Sequence, residues 1–98
     1  MRYYLQIDDA EPTQIASNKG YDDLCRWADT LPVDRFGEVV TLTEHGLSQD
    51  VARLRQQLAQ AAQAQPPAAS VLSTVRGLVG LLEGVRATVV TVTDGVSQ

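Results

Sequence analysis

Two stretches with helical spacing of apolar residues, separated by a proline pair at 66–67, dominate the second half of the sequence. Apolar residues recur at intervals of three and four between positions 47 and 61, which is typical of a helix that buries one side. We predict this helix over 49–64 and a second from Pro67 to Gly84 or Val85, because Pro67 suits a first helical position. Two apolar stripes in succession require a common core, so other elements must pack against both.

The other regular segments have the patterns of strands. Residues 2–8 (RYYLQID) alternate apolar and polar side chains, whereas 38–44 (EVVTLTE) and 87–93 (ATVVTVT) are rich in valine and threonine. The TQIA segment at 13–16 is a candidate fourth strand, as a hairpin partner of the first. Segments 39–49 and 89–98 also match at most positions if one residue is skipped. We interpret that match as convergence of two β-branched strands that each end in an acidic turn.

A further helix is predicted from Tyr21 to Thr30, capped by Ser17 or Asn18. The element order is then β-α-β-α-α-β, in the α/β (α+β) class. One helix between the first two strands predicts that they are parallel, and a helical hairpin before the third makes it antiparallel. We therefore expect a single domain over residues 1–98, with a small mixed three- or four-stranded sheet and helices mainly on one face.

Charge and composition restrict the classes of partner. The 98 residues carry a net charge of −4 and a single lysine, whereas nucleic-acid and anionic-membrane binding need clustered basic side chains. We expect neither partner.

The start of the sequence has no apolar segment typical of a signal peptide, and charged residues interrupt the apolar zone at 71–92, which excludes a membrane-spanning helix there. A cytoplasmic protein without a cofactor is the expectation.

The last predicted helix has a second face that is nearly bare of side chains. Each interior glycine costs a helix about 1 kcal/mol relative to alanine, yet several glycines gather opposite the apolar face. An ordinary exposed face would carry long polar residues instead. The residues of this face are Ser73, Gly77, Gly80 and Gly84, with Arg76 and Glu83 at its border.

Three interpretations of the bare face compete. It can pack inside the protein against the slim alanines of the preceding helix, at positions 52, 59 and 62. It can contact a second copy or another protein, because missing side chains allow a close approach. Finally, the glycines can be merely tolerated, with Gly84 as a helix stop. The second interpretation makes the six residues of the face a partner-binding site.

A candidate metal site comes from the predicted topology. If the first two strands are parallel neighbours, their carboxyl ends bring together Asp8, Asp9, Glu44 and His45. Such ligands suit Mg²⁺ or Mn²⁺. The spacing matches no established metal motif, and acidic residues are also common in turns.

The sequence contains no established catalytic constellation. Cys25 and His45 each occur once, but Cys25 lies on the apolar side of a helix near aspartates, which is typical of a core thiol. Trp27 is also expected to fill the core. We therefore predict a non-enzymatic interaction protein that acts by oligomerisation or through a protein partner. The alternatives are a metal- or ligand-binding domain and an inhibitor or immunity-type protein that masks a basic partner.

Overall fold

The computed structural model describes residues 2–95, which form four helices and one four-stranded sheet. The elements in chain order are β1 (Arg2–Ile7), β2 (Thr13–Ser17), α1 (Asn18–Ala28), α2 (Val33–His45), β3 (Leu47–Ser48), α3 (Val51–Ala64), α4 (Ala69–Leu82) and β4 (Val90–Asp94). This arrangement confirms the predicted α+β class and the predicted helical hairpin before the last strand.

The strands are arranged in the order β2-β1-β4-β3, and each neighbouring pair is antiparallel. The TQIA segment does pair with β1 as a hairpin, as the fourth-strand alternative predicted. The prediction of a mixed sheet is wrong, because the described strands contain no parallel pair. β2 forms one edge, and the two residues of β3 cover only part of the other.

The segment at 38–44, predicted as a strand, lies within helix α2. Val39, Val40 and Thr43 follow helical spacing and are buried or half-buried. Phe36 is also buried, but its φ of −127° and ψ of 37° mark a kink within α2. Gly46 ends the helix in the left-handed conformation, with φ 72°, and its N–H donates to the carbonyl of Leu42 at 2.9 Å. Burial of this stripe outweighs the β preference of valine and threonine, so the predicted element order is wrong at this position.

Side-chain caps mark the starts of α1 and α3, whereas α4, at Ala69–Leu82, is shorter than predicted and has no side-chain cap at its start. α1 begins earlier than predicted because Ser17 Oγ accepts a hydrogen bond from the N–H of Gly20 at 3.1 Å. In α3, Asp50 is the cap and accepts from the N–H of Arg53 at 3.2 Å. β4 begins at Val90, three residues later than the predicted start, and its described part ends at Asp94.

The core lies between the helices and one face of the sheet. Leu5 and Val90 contribute from the sheet and are almost completely buried. The opposite sheet face presents mostly polar side chains, including Gln6, Thr91 and Thr93, which are half-buried or exposed. This confirms the expectation that the helices cover mainly one face. Among the helices of residues 2–95, none has the length and apolarity that crossing a membrane requires.

Candidate functional site

The six residues predicted to bind a partner are all exposed. We call them the α4 face: Ser73, Arg76, Gly77, Gly80, Glu83 and Gly84. The first four lie within α4, Glu83 is its C-terminal cap residue and Gly84 follows. The structure therefore places the predicted residues together on one side of a single helix and its end.

The orientation of this face follows from the apolar side of α4. Val71, Val75, Leu78 and Leu82 are buried, with at most 4% of their surface exposed. These positions repeat at intervals of three and four, so they fix the helix with one side against the core. The α4 face must then point outward.

Internal packing does not explain the two glycines inside α4. A Cβ built at Gly77 or Gly80 would have no non-local heavy atom of the described residues within 4 Å. The α3 alanines proposed as partners, Ala59 and Ala62, instead lie beside the apolar flank of α4, near Val79. The internal-packing interpretation is therefore wrong at both positions.

Gly84 has a different role. Its φ of 70° lies in the left-handed region, which follows the C-terminus of many helices and which side-chain-bearing residues rarely adopt. The helix-stop interpretation thus accounts for Gly84. It does not account for Gly77 and Gly80, which are surrounded by helical residues.

Two shallow grooves border the α4 face, each with a volume of about 320 Å³. The first lies between α3 and α4, where Arg76 shares the lining with Leu72 and Val79. The second lies between α4 and the edge strand β2, where Ser73 and Gly77 share it with Ile15. The bare face is therefore a ridge between two partly apolar depressions.

The charged residues at the border of the face remain accessible. Glu83 Oε2 lies 3.9 Å from Arg55 Nη2 on α3, and the Glu83 side chain is 73% exposed. A pair this long and this exposed contributes little to stability. Arg76 is also exposed. Both side chains can therefore rearrange when another molecule approaches.

The β2 residues beside α4 are a part of the site that sequence reasoning missed. Thr13, Gln14 and Ile15 line the second groove, and β2 pairs with β1 alone. TQIA was predicted as a strand, but its position next to α4 depends on the order of the whole sheet. An uncharged strand after a proline was the available signal.

The four predicted metal ligands are separated by the fold. Asp8 and Asp9 follow the end of β1, whereas Glu44 and His45 precede the start of β3. β1 and β3 run in the same direction, because both are antiparallel to β4. The two pairs therefore lie toward opposite ends of the sheet. Within residues 2–95, no three His, Cys, Asp or Glu side chains are close enough together to hold a metal ion.

Asp8 has a structural role instead. It adopts a φ of 49°, and its carboxylate accepts hydrogen bonds from the N–H groups of Thr88 and Val89 at 3.0–3.2 Å. These bonds tie the turn after β1 to the chain entering β4. The parallel strand pair that motivated the metal prediction is replaced by this antiparallel junction.

Cys25 and Trp27 are held by packing. Burial raises the pKa of the Cys25 thiol, and the nearby charges of Asp29 and Asp22 raise it as well, which lowers its reactivity as a nucleophile. Trp27 is buried, and its indole N–H donates to the carbonyl oxygen of Gln65 at 2.8 Å. Trp27 is therefore a core residue, as expected.

Comparison with known proteins gives no information about the α4 face. The chain matches no protein-family model, and no match was found among curated proteins or solved structures.

Proposed function

We propose that this chain is a non-enzymatic interaction module that binds a protein, either a second copy of itself or a different partner, through the α4 face. The observation that carries the proposal is the open space at Gly77 and Gly80. Both glycines weaken the helix, and no intramolecular contact of the described residues compensates for that cost. A partner that packs closely against the backbone would compensate for it.

The surroundings of the face support the same function. Small residues at the centre let another element approach closely, and the two grooves offer apolar surface on either side. Arg76 and Glu83 supply charges of both signs at the border, which can fix the orientation of a partner. The net charge of −4 favours a protein partner over a nucleic acid or an anionic membrane, both of which are negatively charged. We propose that the interaction takes place in the cytoplasm.

The direct test is a bulky side chain on the bare ridge. Gly80→Leu is expected to weaken self-association or partner binding while the chain still unfolds cooperatively, because the added side chain points into open space. Ala52→Leu is the matched control, since Ala52 is exposed on α3 and lies outside both grooves. If the two variants behave alike in association and partner binding, the proposed function is wrong.

A further inference from the structure

The charged border of the α4 face is a feature independent of the glycines, and it indicates which partner fits. Arg76 and Glu83 are two helical turns apart, so they lie on nearly the same side of the helix, about 10 Å apart along its axis. Glu83 follows the last residue of α4, but its φ of −65° is still helical. Both exposed side chains lie on the flank toward α3, because Arg76 lines the groove between α3 and α4 and Glu83 lies beside Arg55. This flank therefore carries a cation near its middle and an anion at its end.

We infer that the partner is a second copy, whose α4 packs antiparallel against α4 of the first across a two-fold axis. This inference rests on the proposed function and specifies its partner. A two-fold axis brings the same surface of both copies together, so that surface must be self-complementary. Small residues let the two backbones approach closely, and a flank with charges of opposite sign can pair with a reversed copy of itself.

The small residues indicate the level at which the two helices meet. A two-fold axis midway between residues 78 and 79 places Gly77 of each copy opposite Gly80 of the other. Both positions have open space in the single chain, since a Cβ built there meets no non-local heavy atom of the described residues within 4 Å. At this level Ser73 lies near the C-terminal end of the other helix, so no long side chain separates the two backbones.

The same level brings opposite charges together. Arg76 of one copy lies about 3 Å along the axis from Glu83 of the other, on the same flank, which is within reach of these long side chains. Symmetry repeats this ion pair. Glu83 also lies 3.9 Å from Arg55 of its own chain, but an exposed contact of that length is weak and leaves the carboxylate accessible. On the other flank, Leu81 of one copy lies near Thr74 of the other, and both are half-buried in the single chain.

Charge reversal at the two border positions tests this pairing. Sedimentation equilibrium of the full chain from about 20 μM to 1 mM is expected to show a dimer with a dissociation constant on the order of 100 μM, because one helix pair is a small interface. Arg76→Glu and Glu83→Arg should each raise that constant about tenfold, because each replaces two attractive pairs with two repulsive ones. The double variant should restore dimerisation to within about threefold of the wild type.

Two comparisons show where the effect arises. Arg76→Glu makes the net charge more negative and Glu83→Arg makes it less negative, so weakening by both does not come from net charge. Arg55→Gln removes the intramolecular neighbour of Glu83 and should leave the dissociation constant within about twofold of the wild type. If Arg55→Gln weakens the dimer as much as Glu83→Arg does, Glu83 acts through its own chain and the proposed ion pair is wrong.

The outcomes separate this inference from the proposed function. A chain that stays monomeric up to about 1 mM, or a dimer that neither single charge reversal weakens, overturns the antiparallel pairing. A double variant that remains as weak as the single variants also overturns it. The proposed function survives these results if Gly80→Leu weakens binding of a different protein and Ala52→Leu does not. If Gly80→Leu and Ala52→Leu behave alike in every assay, the proposed function falls as well.

Discussion

Gly77 on α4 and Ile15 on the edge strand β2 line the same groove, so bare helix backbone lies beside the open edge of the sheet. The close approach of these two elements brings together a residue from each half of the chain. Because a Cβ at Gly77 would meet no other part of the described chain within 4 Å, a small side chain there should alter association without disrupting the fold.

Alanine at either helix glycine should stabilise the isolated chain. Gly77→Ala and Gly80→Ala are each expected to raise the free energy of unfolding by about 0.5–1 kcal/mol, because the added methyl group meets open space and restricts the unfolded chain. Urea denaturation measures this change. Gly84→Ala is the control of opposite sign, since its φ of 70° should make alanine destabilising by about 1 kcal/mol. Destabilisation by Gly80→Ala would contradict the open geometry.

Asp8 should matter for stability and Asp9 should not. Asp8→Ala removes a carboxylate that accepts two backbone N–H groups and leaves alanine at a positive φ, so we expect a loss of about 2 kcal/mol. Asp9→Ala, at an exposed neighbouring position, should change the free energy of unfolding by less than about 0.5 kcal/mol. Equal effects of the two substitutions in thermal denaturation would show that the hydrogen bonds at Thr88 and Val89 do not hold this junction.

Trp27→Phe should destabilise the chain by about 1–3 kcal/mol. The change removes the indole N–H, leaves the carbonyl of Gln65 without this donor and reduces the buried volume. Gln65→Ala is a useful comparison, because it keeps the carbonyl acceptor and removes the side-chain amide that donates to the carbonyl of Thr30 at 3.3 Å. The smaller loss in urea denaturation should belong to Gln65→Ala. A larger loss of unfolding free energy for Gln65→Ala would show that the indole hydrogen bond contributes less to stability than the side-chain amide of Gln65.

Stability should fall in alkaline solution. Burial raises the pKa of Tyr21 above its ordinary value of 10.0 and that of Cys25 above 9.0, so the fold favours both protonated forms. The unfolded chain releases these protons first as the pH rises, and the free energy of unfolding then decreases above about pH 9. Urea denaturation from pH 7 to 11 should show this decrease, and Tyr21→Phe should reduce it. An identical decrease in that variant would contradict the contribution of Tyr21.

The segments at 39–45 and 89–94 show how much of the fold the sequence predicts. Their residues are nearly the same, VVTLTEH and VVTVTD, yet the first is helical and the second enters β4. Val39, Val40 and Leu42 of the first segment are buried as parts of a helix, and Gly46 ends that helix. β4 instead lies between β1 and β3, where Val90 is fully buried. Local composition favours a strand in both cases, and the flanking residues and tertiary contacts decide between them.

The candidate site also has a part that the sequence predicts and a part that depends on the tertiary structure. Burial of the apolar side of α4 was predictable from the spacing of the residues from Val71 to Leu82, whereas the sequence left open whether the opposite face is covered by α3. The proximity of β2 was not predictable, since it depends on a sheet order that pairs β1 with β4, over eighty residues away. The metal prediction depended on a similar long-range assumption, that residues 38–44 form a strand parallel to β1, and these residues lie in α2 instead.

Photo-cross-linking from single positions examines the claim that the α4 face is a protein contact surface. A photoreactive amino acid replaces Gly80 in the full chain, and the same amino acid at Ala52 is the control, each produced in the cells that naturally make the protein. We predict one dominant adduct, with a second copy or a single other protein, from position 80 and not from position 52. Equal adducts from both positions, or none from position 80 while the variant remains folded, would contradict the claim.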